Sequence, residues 1–120
     1  MIRYLLPLFA GAVMTIPSQA AEPELKARIL VEDAPNGTKQ FVGYVTASVP
    51  FEGRYEFMGE KKGVAGNARL KQGGMVKAVP HQAVRLSHLA FGSIAADDHY
   101  AIQLKIFRGD KLVGQDQIVK

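Results

Sequence analysis

The stretch that decides the fold is DHYAIQLKIFR, residues 98–108. Its side chains alternate between two faces with a period of two, which predicts a half-buried β-strand. The inward face carries Tyr100, Ile102, Leu104 and Ile106, and the outward face carries Ala101, Gln103, Lys105 and Phe107. Gly109 and Asp110 follow, and a glycine at the first central position favours a type II′ hairpin turn into a further strand.

The residues before this strand indicate its place in a known architecture. A tyrosine at the start of a long strand, after an acidic turn, is typical of the tyrosine corner of immunoglobulin-type sandwiches. Tyr100 holds that position, and Ile102 stands two residues on, where antibody domains place a cysteine. We therefore interpret residues 98–108 as strand F, with Tyr100 and Ile102 in structural roles. The pair Asp97 and Asp98 is interpreted as an Asp-capped corner turn, because one pair supplies too few oxygens for calcium.

Further short β-patterns, bounded by turn residues, occur at spacings of about ten residues. They predict strands at 25–31, 40–49, 53–59, 67–72, 75–79, 84–91 and 111–119, with Gly73 and Gly74 as a break between two of them. No segment shows a sustained helical period. The predicted fold is therefore an all-β, immunoglobulin-like sandwich of seven or eight antiparallel strands.

Three details of the packing can be argued from residue parity. Tyr55 and Phe57 point inward, and one or the other fills the volume of the tryptophan that antibody-type sandwiches carry on this strand. A bulge near Ser87 and His88 would bring both halves of strand 84–91 to the same face. The last strand has two options, since one residue of slip inverts its facing. A two-residue turn, which we favour because burying Asp116 is costly, turns inward Val113, Gln115, Gln117 and Val119. A three-residue loop turns inward Leu112, Gly114, Asp116 and Ile118.

The N-terminus has the pattern of a secretory signal. Arg3 precedes an apolar run that is too short to span a bilayer comfortably, and small residues at Ser18 and Ala20 fit a cleavage site. We predict a signal peptide at 1–20, a single domain at 21–120, and export to the periplasm without stable membrane insertion. Without Arg3, 14 of the 15 basic side chains remain against 11 acidic ones, so the mature charge is near +3. This charge mildly favours acidic partners, and without a basic block nucleic acid is not expected as one.

A search for chemistry in the sequence leads to a non-enzymatic prediction. The chain has no cysteine and no Gly-x-Ser-x-Gly motif, so no catalytic residue is assigned. The spacings of His81, His88 and His99 match no zinc pattern, so no metal or other cofactor is expected. Arg108-Gly109-Asp110 spells an integrin-binding tripeptide, but these residues are also what the hairpin turn requires.

Two surface features remain as candidates for binding. Basic side chains recur at outward positions, and four of them form the predicted electrostatic surface: Arg54, Arg69, Lys71 and Lys105. An apolar stripe is predicted from Tyr44, Met58 and Phe107, and exposed apolar stripes mark contacts with other chains. An ordinary solvated face and a stripe covered by a loop are the respective alternatives.

The segment NARLKQGGMVKAVPHQAVRLSHLAFG, residues 67–92, resembles the small curli-assembly chaperones of the CsgH and CsgC type. The resemblance lies in the Gln72-Gly73-Gly74 step, the apolar pair after it and Leu86-Ser87, and the other strands fit the same pattern. It implies an exported, monomeric chaperone that keeps acidic, unfolded curli-type subunits from forming amyloid. Some relatives carry a Cys-x-Cys, which this chain lacks, so no redox chemistry is carried over.

The alternative function is an immunoglobulin-like adhesion or pilus-accessory module, which would share the fold and the export signal. A pilus-assembly protein would need a donor strand or a groove that lacks one, and the pattern shows no spare strand. The identity of the client, the surface it contacts and the relative weight of charge and apolar contact are left open.

Overall fold

The computed structural model describes residues 25–35 and 38–120. These residues form two antiparallel sheets, one ordered β1–β2–β5 and one ordered β4–β3–β6–β7. The strands are β1 Leu25–Asp33, β2 Thr38–Ala47, β3 Phe51–Gly63, β4 Gly66–Ala78, β5 Val84–Ser93, β6 His99–Arg108 and β7 Lys111–Val119. The predicted all-β, immunoglobulin-like sandwich is confirmed, with seven strands.

The predicted signal peptide at 1–20 lies outside the described residues. Within them, no helix has the length and apolarity that a membrane crossing requires.

Strand β6 forms the centre of the core, as its alternation predicts. Ile102, Leu104 and Ile106 are almost fully buried, and fully burying each such side chain stabilises the fold by about 1.5–3 kcal/mol. Across the sandwich they join a cluster that includes Phe41 and Leu89. The predicted volume for the missing tryptophan is filled by Tyr55 and Phe57, both of which are buried. The outward residues of β6 are left to face solvent on the other side of the sheet.

The predicted break at Gly73 and Gly74 is wrong, because residues 66–78 form one continuous 13-residue strand. This strand pairs with β3 along its whole length, whereas constant-type antibody domains place their fourth strand on the opposite sheet. The glycines serve close packing. A Cβ at Gly74 would stand 3.1 Å from the ring of Tyr55.

The predicted bulge in β5 is present, one residue earlier than expected. Gly43 pairs with Ser87 and Tyr44 pairs with Arg85, which leaves Leu86 as the extra residue. The bulge brings both halves of the strand to the core, against which pack Val84, Leu86, Leu89 and Phe91.

The favoured facing of β7 is right for Val113, which packs against the core, and wrong for Gln115, Gln117 and Val119, although the two-residue turn is right. Arg108 pairs with Lys111, and Gly109 has a φ of 60° as a type II′ turn requires. A bulge then intervenes, and the register resumes so that the residues opposite the buried positions of β6 are Gly114, Asp116 and Ile118. Val119, which was predicted to face inward, is 69% exposed.

The carboxylate of Asp116 lies at the seam where the edge strands β1 and β7 of the two sheets meet, and backbone N–H groups bind it there. One Asp116 oxygen accepts the N–H of Ile29 on β1 at 2.8 Å, and the other accepts the N–H of Gln117 at 2.9 Å. These bonds offset the cost of partly burying the charge.

The corner before β6 is closed by Asp98, in agreement with the Asp-cap interpretation. Its carboxylate is buried, accepts the N–H of Ala95 at 2.8 Å and lies 3.9 Å from the ammonium of Lys61. The ring of Tyr100 packs on Phe41 with 5.2 Å between centroids. A hydrogen bond from the Tyr100 hydroxyl to the corner stays a prediction.

Candidate client-binding surface

The outer face of the four-stranded sheet brings together six of the seven predicted surface residues. The strand register places Met58 beside Lys71, Arg54 beside Phe107, and Lys105 beside Glu56. We call this surface the basic face; its predicted members are Arg54, Met58, Arg69, Lys71, Lys105 and Phe107. Their common orientation follows from strand alternation, because the opposite parity of β3 and β6 fills the core.

Tyr44 lies elsewhere. It belongs to β2, in the other sheet, where its cross-strand neighbours are Arg28 and Arg85. The structure therefore divides the predicted apolar stripe, with Met58 and Phe107 on the basic face and Tyr44 on the opposite side of the sandwich. Tyr100 and Ile102, which were assigned structural roles, do not belong to the basic face. Ile102 is buried beneath it, and Tyr100 is half-buried near its end.

Two of the four predicted basic residues form ion pairs within the basic face. Arg54 lies 2.9 Å from Glu56 and stacks over the Phe107 ring, 4.2 Å from its centroid. Arg69 lies 2.7 Å from Glu60. The hydrogen bond from Arg69 and then its positive charge hold the pKa of Glu60 below its ordinary value. Exposed ion pairs contribute little to stability, so an incoming carboxylate could replace either glutamate at small cost.

Lys71 and Lys105 differ from the two arginines. Within residues 25–35 and 38–120, neither lysine forms an ion pair at salt-bridge distance. Lys71 is exposed on β4, and Lys105 is half-buried near the middle of the sheet. Both ammonium groups are therefore available to a new partner.

A depression of about 340 Å³ lies in the basic face. Ala101 and Gln103 of β6 line it together with Met58, between a basic side at Arg69 and Lys71 on β4 and a side at Gln117 and Val119 on β7. The combination of an apolar surface and nearby cations suits an extended segment with small apolar and acidic side chains.

Sequence reasoning missed three exposed apolar residues of this surface. Met75 is 81% exposed, Val119 is 69% exposed, and Leu112 is exposed as well. Met75 and Leu112 stand at the two ends of a cross-strand row whose middle members are Arg54 and Phe107. Interpreting 66–78 as one strand would have placed Met75 on the same face as Lys71, because both have odd parity. Val119 was missed because the bulge in β7 inverts the facing.

The described part of the chain contains no group of three or more His, Asp or Glu residues that could hold a metal ion. His81 lies in the β4–β5 connection, whereas His88 is opposite Val42 on the smaller sheet and His99 begins β6.

Comparison with solved structures places this architecture in one class of small β-sandwich proteins. The solution structure of CsgH from R. palustris is 23% identical with a TM-score of 0.63, covering 79% of this chain and 91% of that one. The E. coli curli protein CsgC is 18% identical with a TM-score of 0.67, covering 78% of this chain and 96% of that one. These likenesses show a shared fold.

The sequence gives the narrower assignment. The model of the CsgH protein family matches residues 29–117, and the chain therefore belongs to the CsgH family. This confirms the resemblance drawn from residues 67–92. No curated protein sequence matches.

Proposed function

We propose that this protein is an exported accessory protein of curli assembly, which delays amyloid formation by an acidic, unfolded curli-type subunit. The family assignment and the similarity to a curli protein support the curli role. The proposal includes removal of residues 1–20 and action in the periplasm as a monomer.

The observation that carries the proposed mechanism is the basic face. It presents the Lys71 and Lys105 ammonium groups beside Met58 and Phe107, on a sheet where basic side chains outnumber acidic ones. A subunit with a net negative charge would be drawn to this surface over the screening length of about 8–10 Å near physiological ionic strength.

Such contacts can act without a stable complex. Amyloid grows by the pairing of strands at a few growing ends. A protein that meets nuclei or ends transiently can therefore delay assembly at protein ratios well below one. Exposed ion pairs form and exchange at low cost, which suits brief contacts.

The test is the lag time of thioflavin fluorescence for a fresh curli-type subunit. Wild-type protein should lengthen the lag, and added salt should reduce the effect because it screens exposed charges. With the variant Lys71→Glu/Lys105→Glu, the lag should return most of the way to that of the subunit alone, since the variant reverses the charge of two basic-face lysines that form no ion pair. Arg54 is left intact because its stacking on Phe107 would confuse a surface effect with a structural one.

The matched control is Lys26→Glu/Arg85→Glu, which changes the net charge equally on the outer face of the smaller sheet. It should retain the wild-type delay. Both variants should unfold cooperatively with a free energy of unfolding within about 1 kcal/mol of the wild type, the larger loss being expected for Lys105→Glu because it faces Glu56. Equal loss in both variants would show that net charge alone acts, and loss only in the control would move the site to the face that carries Tyr44. If the wild type leaves the lag unchanged at every ratio, the chaperone proposal is wrong and the accessory-module alternative replaces it.

A further inference from the structure

Strand β4 is a long edge strand whose free backbone groups can be identified. Tyr100 and Lys120 exchange both backbone hydrogen bonds, so even-numbered residues of β6 bond to β7 and odd-numbered ones bond to β3. Because the registers from β6 to β3 and from β3 to β4 contain no shift, even-numbered residues of β4 bond to β3. The odd-numbered residues therefore direct N–H and C=O groups away from the sheet: Asn67, Arg69, Lys71, Gly73, Met75 and Lys77.

This edge lacks most of the features by which proteins block strand addition. Typical strands have 3–10 residues and edge strands are often short, bulged or interrupted by proline. Strand β4 has 13 residues, no register shift against β3 and no proline. Residues 71–75 are all exposed, and Gly73 and Gly74 place no side chain in the way of an approaching strand.

The charges along the edge select between possible occupants. Two copies of β4 paired antiparallel about Gly73 would put Arg69 of one copy opposite Lys77 of the other. Like charges that face each other across a strand pair are destabilising, so the edge disfavours a second copy of this chain. The same cations favour a strand with carboxylates on that face.

We propose that β4 binds an extended segment of an acidic partner chain as an added strand of the four-stranded sheet. The backbone of Arg69, Lys71, Gly73 and Met75 forms the ladder, and the ammonium groups of Lys71 and Lys77 receive carboxylates six residues apart on one face of the segment. This deepens the proposed function, on which it rests. In this arrangement the client's own strand extends the four-stranded sheet beside the basic face. While it is bound there, that strand cannot pair with a fibril end.

The first experiment removes one edge N–H. Met75→Pro deletes a donor that points away from β3, a position at which edge strands tolerate proline. Met75→Ala is the matched control, because it also removes the side chain and keeps the donor. In the thioflavin assay, Met75→Ala sets the reference because it has lost the same side chain, and Met75→Pro should need about three- to tenfold more protein than Met75→Ala for the same delay. Equal potency of the two variants would overturn strand addition.

The second experiment needs no substitution and decides the matter if Met75→Pro does not fold. Hydrogen exchange of isotopically labelled wild-type protein is measured during the lag phase with excess unlabelled monomeric curli-type subunit. The odd-numbered amides of β4 from Arg69 to Lys77 should exchange more slowly than in the free protein, while the even-numbered ones are protected in both states. A delayed lag with unchanged odd-numbered amides would overturn the edge site and leave the chaperone proposal intact. Protection without any subunit would show self-pairing and would also overturn it. No delay at all would count against the proposed function itself.

Discussion

The two lateral sides of the sandwich are finished in opposite ways. On one side, edges β1 and β7 meet, and the carboxylate of Asp116 accepts backbone N–H groups from Ile29 and Gln117. On the other side, β4 leaves its odd-numbered backbone groups exposed, with Lys71 and Gly73 in the middle. The closed seam contributes to stability, and the open edge leaves donors and acceptors available to another chain.

Under the proposed function, this difference would let one fold resist aggregation and still bind an aggregating partner. An inward-pointing charged residue is a known means of closing an edge, and Asp116 supplies it. Lysines on an open edge repel other copies of the same chain but attract acidic strands. The chemistry of each edge, rather than the sheet topology, therefore decides which chains can pair with it.

The largest effect is expected from opening the closed seam. Asp116→Ala removes the acceptor of two backbone N–H groups and leaves that of Ile29 partly buried without it. We expect a loss of about 2–3 kcal/mol in the free energy of unfolding, measured by urea denaturation, and Asp116→Asn, which keeps one acceptor oxygen, should lose about half as much.

The control for this change is Asp33→Ala. Asp33 is an exposed carboxylate on β1 whose ion pair with Lys39 spans 2.9 Å, and such solvent-screened pairs contribute little to stability. If Asp116→Ala were no more destabilising than Asp33→Ala, the seam would not be held by its carboxylate.

The next effect compares a glycine at each side. A Cβ at Gly114 would stand 2.5 Å from Cδ2 of Leu25, so Gly114→Ala must displace packing in the closed seam and should cost about 1–3 kcal/mol. A Cβ at Gly73 would stand 3.1 Å from the carbonyl oxygen of Tyr55 on an exposed edge that can shift. Gly73→Ala should change stability by less than about 0.5 kcal/mol. Equal losses in thermal unfolding would mean that the two sides are packed alike.

The sequence was sufficient wherever alternation alone determines the structure. The inward set of β6, the burial of Tyr55 and Phe57, and the outward orientation of Arg54, Lys71 and Lys105 all follow from parity. Errors arose where an irregularity changes the parity or a glycine has an unusual role. The β7 bulge turned Asp116 inward, and its two amide partners were not visible from the chain order because Ile29 is 87 residues away. Gly73 and Gly74 have the composition of a turn, but pairing with β3 and the Tyr55 ring keep them in a strand.

The candidate surface was predictable only in part for the same reason. Outward residues share a surface only when their strands belong to the same sheet. The sequence pattern does not show that β2 lies in the other sheet, and Tyr44 was therefore grouped wrongly with Met58 and Phe107. The open edge depends on the hydrogen-bond parity of three strand pairs, which requires the register and not only the sequence pattern.

The smallest effect concerns a glutamate that competes for a cation beside the open edge. Glu60 accepts a hydrogen bond from Arg69, and its lowered pKa means that it is charged at neutral pH. The contribution of this pair to stability is present above the ordinary glutamate pKa and is lost as pH falls through the lowered value. Acid would also protonate an acidic client, so a substitution isolates the effect better than a change of pH.

Glu60→Gln should therefore leave the unfolding midpoint nearly unchanged and make the protein a better inhibitor. With the competing charge removed, Arg69 is available to a client carboxylate, and the same lag should be reached at about 1.5- to 5-fold lower protein concentration. The control is Glu32→Gln on the smaller sheet, which changes the net charge equally and should leave potency at the wild-type value. Equal improvement in both variants would mean that net charge governs the delay, whereas improvement only in Glu60→Gln would locate the client beside β4.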